Sequence, residues 1–248
     1  MLLYIINSYN MYCVNNIYYV LLVQKNEYRD IVNMVVLIGG EKGGTGKTTI
    51  ATNLAAMRVI NGHDVLLVDT DKQGSASAWS DIRDKNNISA RVSNVQKFGS
   101  NLGADVKDFK NRYEDIIIDA GGKDSVELRA AMTIADLMYV PVQASQFDIW
   151  TLSIINDLIS QAKVFNPKLI PYILINRATT NPLVNEVEEA KSVLQDFDHL
   201  KLSDLLLKER ISYRKAAKGG LSVIELEKAD IKAITEITTL YNEVFNAK

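Results

Sequence analysis

From residue 34 onward, short uninterrupted apolar runs alternate with longer stretches in which apolar residues recur every three or four positions. The runs are VVLI at 35–38, VLLVD at 65–69, DIIID at 115–119, LMYVPV at 137–142 and LIPYILIN at 169–176. Apolar residues at consecutive rather than alternate positions predict strands covered on both faces. The periodic stretches predict helices over about 47–61, 75–85, 124–135, 147–164 and 183–196. This alternation is the rhythm of a parallel sheet, so the expected fold is α/β, a mostly parallel twisted sheet flanked by helices on both faces. Ligands of such sheets sit at the carboxyl ends of the strands. A last helical pattern sets Ile231, Ile234, Ile237, Leu240, Tyr241 and Val244 on one face, against a polar face holding Glu236 and Glu243. A lipid-binding helix wants a basic polar face, so this one is expected to pack on the core.

Composition narrows the chemistry. The 248 residues are 47% hydrophobic, enough for one full core, and no internal repeat, low-complexity linker or proline cluster marks a second domain after residue 34. A formal charge of -2 gives no global attraction to nucleic acid or anionic lipid, so any such partner must be met by a local basic cluster. Cys13 is the only cysteine and His63 and His199 the only histidines, which excludes a disulfide framework and a Cys/His zinc site within one chain. A reducing cytoplasm fits.

Residues 1–33 differ from the rest. They hold six of the eleven tyrosines, and their apolar runs are broken at Asn7, Asn10, Asn15 and Asn16 before any reaches the length of a membrane span. The first charge is Lys25, so the basic start of a signal peptide is missing. Met34 opens MVVLIGG and is expected to be the native start, with 1–33 an N-terminal extension translated from upstream; a genuine strand or amphipathic anchor is the alternative. Residues 34–248 are expected to form a single domain.

The strongest motif is KGGTGKTT at 42–49, set directly between a predicted strand and a predicted helix. Phosphate binding needs backbone amides turned inward with no side chain in the way, which Gly43, Gly44 and Gly46 allow beside Thr45. The helix beginning near Lys47 aims its positive end at the same place. Lys47 would reach the β and γ phosphates of ATP and the Thr48 hydroxyl would bind Mg²⁺, with Thr49 completing the loop. The first glycine of the general phosphate-loop pattern is replaced by Glu41, and a second lysine appears at Lys42.

With that deviant loop the chain resembles the ParA/MinD family of ATPases. The resemblance runs from 34 to about 246 through KGGTGKTT, DTDKQGS, IIIDAGG, VPVQASQFDIWT and ERISYRKAAKGGLSVIE, and is strongest to a small, ParF-like ParA of plasmid or chromosome partition. It implies that Lys42 contacts the nucleotide of a partner subunit, hence an ATP-sandwiched homodimer. It further implies that Asp71 polarises the attacking water, and that Asp69 and Asp119 organise Mg²⁺ through water. Lys72 stands where the family has proline. Asn176, at a strand end, would read adenine by resemblance, or simply cap a turn.

Arg210, Arg214, Lys215 and Lys218, with Lys208 just before them, form the densest basic stretch. Alone it reads as a solvated face; its position matches the DNA-contacting region of small ParA proteins, and doubling it in a dimer would strengthen phosphate contacts. The expected cycle is an ATPase whose dimer holds nonspecific DNA, is nucleoid-associated in the ATP state, and is stimulated by a centromere-binding ParB or ParG-like protein. The rivals are a MinD-like membrane-associated division ATPase, another cargo-positioning ParA-type ATPase, a reductase component like the nitrogenase iron protein, for which Cys13 cannot serve, and a scaffold that binds ATP without turnover.

Overall fold

The computed structural model describes residues 10–14, 17–21, 34–122, 124–143, 149–181, 188 and 197–246. The chain divides into two compact units, Met1–Val32 and Asn33–Lys248. In the first, β1 (Asn10–Val14) pairs antiparallel with β2 (Ile17–Leu21).

The second unit is built on seven strands: β3 (Met34–Ile38), β4 (Val65–Asp69), β5 (Ser93–Gln96), β6 (Asp115–Asp119), β7 (Leu137–Val142), β8 (Ile170–Ala178) and β9 (Lys201–Lys208). They lie in the order β5-β4-β6-β3-β7-β8-β9, and every neighbouring pair is parallel. Between them run α1 (Lys47–Ile60), α2 (Ser75–Lys85), α3 (Leu102–Phe109), α4 (Val126–Met132) and α5 (Ile149–Phe165); α6 (Ile211–Lys218) and α7 (Ile231–Asn246) follow the last strand.

The sheet is covered on both sides, as consecutive apolar positions require. Val35, Leu37, Ile116, Ile118, Met138 and Val140 pack with Leu102 of α3, Leu128 of α4 and Ile155 of α5. The intervening Val36, Ile38, Ile117 and Tyr139 pack with Leu54 of α1, Trp79 of α2, Ala216 of α6 and Leu240 of α7. One strand thereby feeds two cores, because successive side chains leave opposite faces. The expected fold class holds. The predicted strands match the observed ones closely, β8 running on to Ala178, while β5, β9, α3 and α6 add elements that the pattern did not reveal. The helix expected over 183–196 lies outside the described residues, apart from residue 188.

The final helix packs on the core through Ala233, Ile237, Leu240, Tyr241, Val244 and Phe245, which are buried, whereas Ile231 and Ile234 of the expected face are exposed and half-buried. Glu243 accepts from the Tyr139 hydroxyl at 2.8 Å. At the opposite end of the sheet from the phosphate loop, the buried Asp115 accepts from Arg58 Nε at 2.6 Å and from the Met34 amide at 3.2 Å. No helix among the described residues is long and apolar enough to cross a membrane.

Candidate nucleotide site

The phosphate loop leaves β3 after Ile38 and enters α1 at Lys47, where Gly46 precedes the helix in the left-handed region at φ 91°. A side chain there would be strained, and its Cβ would collide with the Asn176 amide nitrogen. Gly43 and Gly44 are different: nothing lies within 4 Å of where their Cβ atoms would stand. The loop backbone therefore borders open space, next to a helix N-terminus whose first amides lack partners within the helix.

Lys47 is 7% exposed. Its ammonium donates to the Lys42 carbonyl at 2.7 Å. Burial pushes the ammonium pKa down, while the charges of Asp119 and Asp71 pull it back up. A buried ammonium whose hydrogen bond among the described residues goes to a neutral carbonyl suits an anionic ligand.

Asp119 ends β6 and pairs in register with Ile38 of β3 on one side and Asp69 of β4 on the other. Its Oδ2 accepts from the Thr48 hydroxyl at 2.6 Å, and its buried Oδ1 has no partner among the described residues. Burial raises its pKa to about 7; the Thr48 hydrogen bond and Lys47 oppose the rise, and Asp69 and Asp71 add to it. Asp69 is fully buried and spends its carboxylate on structure, accepting from the Asp71 amide at 3.1 Å and from the Ser77 amide and hydroxyl at 2.9 Å each. It thereby fixes the turn that presents Asp71. Asp71 is partly exposed and accepts from the Gln73 amide at 2.9 Å.

Gly121 and Gly122 close the site from β6. A Cβ on Gly121 would lie 3.5 Å from the Asp71 carboxyl carbon, and one on Gly122 would lie 2.9 Å from the Gly43 nitrogen. Glycine at 122 is what lets this segment lie against the phosphate loop.

These parts surround one cavity of about 1190 Å³, lined by Gly43, Gly44, Gly46, Lys47, Thr48, Thr49 and Asp71, and on its outer wall by Asn176, Arg177, Arg210, Tyr213 and Arg214. Lys42 and Thr45 line a small hollow behind the loop with Val140, Pro141 and Leu152. ATP and Mg²⁺ fit these residues: an open glycine cradle, a buried lysine, and a hydroxyl beside a buried carboxylate with one unpartnered oxygen. No trio of His, Cys, Asp or Glu converges on a metal position among the described residues. Magnesium does not require one, since it is commonly held through one or two carboxylates, substrate phosphates and waters.

Asn176 is turned onto the loop itself: it is buried and its amide nitrogen donates to the Thr45 carbonyl at 2.7 Å. The basic stretch splits. Arg214, Lys215 and Lys218 are exposed along one face of α6, whereas the Arg210 guanidinium is forked onto Glu236 of α7, with side chains only 13% and 16% exposed. Lys208 is half-buried, and its amide donates to the same Glu236. Arg177 and Glu209 are site residues that pattern reading missed; the one available signal was a charge directly after Asn176 at a strand's carboxyl end. Of the block at 140–151, residues 144–148 lie outside the described residues, and Gln143 donates to the Gly44 carbonyl at 3.2 Å.

A glycine-rich loop joining a central parallel strand to a helix, with a buried carboxylate on the adjacent strand, defines a phosphate-loop nucleotide-binding protein. The family model "CobQ/CobB/MinD/ParA nucleotide binding domain" matches residues 36–223, and the chain belongs to this ParA/MinD family. It is 28% identical over 204 residues to the maintenance of carboxysome distribution protein A of Halothiobacillus neapolitanus, covering 82% of this chain and 92% of that one. Among solved structures it superposes on the Cyanothece McdA–ATP complex with a TM-score of 0.68 at 17% identity, covering 87% of this chain and 97% of that one. A protein from Borrelia burgdorferi B31 assigned to plasmid partition and bound to AMPPNP gives a TM-score of 0.60 at 20% identity, covering 85% and 99%.

Proposed function

We propose that this chain is a Mg²⁺-dependent ATP hydrolase whose ATP-bound homodimer holds nonspecific DNA and releases it on hydrolysis, in the partition of a plasmid or chromosome. The observation that carries the reading is the placement of α6. Tyr213, Arg214 and Ala217 wall the nucleotide cavity, and Arg214, Lys215 and Lys218 face solvent from the same helix. A helix that is both a wall of the site and an exposed cationic stripe can make phosphate-backbone contacts answer to the nucleotide.

In this reading Lys47 leaves the Lys42 carbonyl for the nucleotide phosphates, and Lys42 serves the nucleotide of the partner subunit. Thr48 would turn from Asp119 to a bound Mg²⁺ and Asp119 would hold the metal's waters, while Asp69, whose two oxygens already accept from Asp71 and Ser77, would act by holding the turn that presents Asp71. Mg²⁺, when bound, neutralises charge on the terminal phosphates. Asp71 orients the attacking water, a role suited to phosphoryl transfer, where positioning and electrostatics dominate. A ParB or ParG-like partner stimulates turnover by adding positive charge near the γ-phosphate. The protein then resides in the cytoplasm, on the nucleoid in its ATP state.

A second reading keeps the same switch and changes the cargo. The relative named for carboxysome distribution, matched over 92% of its length, favours positioning of a cargo other than a plasmid or chromosome. A membrane-associated, MinD-like role is disfavoured by α7, whose apolar residues from Ile237 to Phe245 are buried on the core and whose Glu236 and Glu243 are engaged inward. Gel shift with DNA and co-sedimentation with liposomes, each under ADP, ATP and a nonhydrolysable analogue, test these readings. DNA binding that requires ATP is expected; liposome binding without DNA binding would overturn the proposal.

A further inference from the structure

Two consecutive residues at the end of β8 hold the carbonyls of two consecutive peptides in the phosphate loop. Asn176 donates to the Thr45 carbonyl at 2.7 Å, and Arg177 Nη1 donates to the Gly44 carbonyl at 2.8 Å. Because the peptide unit is planar, fixing a carbonyl fixes the direction of the next amide N–H. The Thr45 and Gly46 amides, which belong to the phosphate cradle, are thereby set by β8, with Gln143 making a longer bond, 3.2 Å, to the same Gly44 carbonyl.

Arg177 does something that Asn176 does not. The rest of its guanidinium is forked onto Glu209, Nε to Oε2 at 2.5 Å and Nη2 to Oε1 at 3.2 Å. Glu209 is tied to the same strand end by its amide, which donates to the Ala178 carbonyl at 2.9 Å. The next residue, Arg210, is the N-cap of α6 and is itself forked onto Glu236 of α7. Glu209 also lies within electrostatic reach of Arg214, on the exposed face of α6. Arg177 is one of two non-glycine residues with positive φ among the described residues, at 54°. Such backbone persists only where the surroundings enforce it, and here the guanidinium is held on one side by the Gly44 carbonyl and on the other by Glu209.

We infer that Arg177 is a positioning residue that couples the state of the phosphate loop to α6, its guanidinium being shared between the Gly44 carbonyl and the Glu209 carboxylate. When a nucleotide draws the loop amides onto its phosphates, the Gly44 peptide turns, the Arg177 fork shifts, and the start of α6 follows through Glu209. The inference rests on the reading that this loop binds ATP; it does not depend on the reading that α6 binds DNA.

The test is hydrogen–deuterium exchange on the full chain, with and without a nonhydrolysable ATP analogue and Mg²⁺. In the wild type the analogue is expected to slow exchange in 43–50 and to change exchange in 209–218 by about threefold or more. Glu209→Gln is expected to keep protection of the loop while α6 ceases to respond. Arg177→Gly, which retains the left-handed backbone and removes the guanidinium, is expected to lose the α6 response and to bind the analogue about tenfold more weakly. Arg177→Lys, which restores charge without the fork, does not rescue the response. If Arg177→Gly fails to fold, Glu209→Gln carries the test alone. A wild-type α6 that is silent while the loop is protected, or a Glu209→Gln α6 that responds as the wild type does, overturns the inference. Absence of loop protection in the wild type overturns the ATP reading and the inference with it, whereas a failed DNA gel shift touches only the DNA reading.

Discussion

The Thr48 hydroxyl donates to Asp119 Oδ2 at 2.6 Å, so the side chain assigned to the metal rests on the carboxylate assigned to the metal's waters. Burial holds that carboxyl up at about pH 7. Metal binding favours the ionised form, so it must displace a proton that is partly present at neutrality. Mg²⁺ affinity in the presence of ATP is therefore expected to rise by about tenfold from pH 6 to pH 8 as Asp119 ionises. Calorimetry in two buffers of different ionisation enthalpy, with Asp119→Asn as the reference that subtracts the proton lost by ATP's own terminal phosphate, reads the proton released by Asp119; an affinity and a proton release equal to those of Asp119→Asn would refute the assignment.

The same burial acts on stability, with a definite sign. A carboxyl whose folded pKa is raised contributes stability below its unfolded pKa and loses that contribution as pH rises through about 7. Asp119→Asn is thus expected to stabilise the ligand-free chain above neutrality by on the order of 1–3 kcal/mol. That corresponds to about 2–4 °C in Tm per kcal/mol for a chain of this size. The stabilisation should fade toward pH 4, and ATP turnover should be lost at every pH.

How much of this was legible in the sequence depended on whether the cause was local. β3, β4, β6 and β7 announced themselves because strands buried on both faces need consecutive apolar residues. β5 reads SNVQ at the edge of the sheet and β9 reads KLSDLLLK, so neither carries that signature. The phosphate loop was legible because its glycines, lysines and threonines are contiguous. The Arg177–Glu209 pair spans 32 residues and the Arg210–Glu236 pair 26, and both depend on how the far strands sit. β8 and β9 pair with register shifts between Ile173 and Ala178, which no pattern of apolar residues encodes. Sequence therefore marked Arg210 as a surface cation, and packing made it a clamp.

The two lysines of the loop are expected to fail differently. Lys47 is buried with its ammonium on the Lys42 carbonyl, so Lys47→Ala should abolish nucleotide binding by the monomer. Lys42 lines the hollow behind the loop rather than the large cavity, so Lys42→Ala should retain monomeric ATP binding within about threefold while losing the ATP-dependent dimer. Fluorescent-nucleotide titration and light scattering on the same samples separate the two. A Lys42→Ala protein that dimerises normally with ATP would remove the cross-subunit role.

The basic residues divide the same way. Arg210→Ala leaves Glu236 without its fork and is expected to cost about 1–3 kcal/mol in a denaturant melt. Arg214→Ala with Lys215→Ala should change stability by less than about 1 kcal/mol. In gel shifts across a salt series the double variant should lower the slope of log affinity against log salt by about 0.9 for each DNA phosphate that is no longer neutralised. An unchanged slope would move the DNA face away from α6.

Glycines 43 and 46 offer the sharpest separation of fold from function. A Cβ on Gly46 would collide with the Asn176 amide nitrogen, on backbone held at φ 91°. Gly46→Ala must therefore evict Asn176 from the Thr45 carbonyl and strain the start of α1, costing about 1–3 kcal/mol along with nucleotide binding. A Cβ on Gly43 meets nothing within 4 Å, so Gly43→Ala should melt within about 1 kcal/mol of the wild type. The space that its methyl enters is the space proposed for phosphate, however, and its ATP affinity should fall by about tenfold or more. Loss of affinity without loss of stability at 43, against loss of both at 46, is the pattern expected if the open side of the loop is the phosphate side. If Gly43→Ala instead binds ATP as the wild type does, the phosphates lie elsewhere along the cavity.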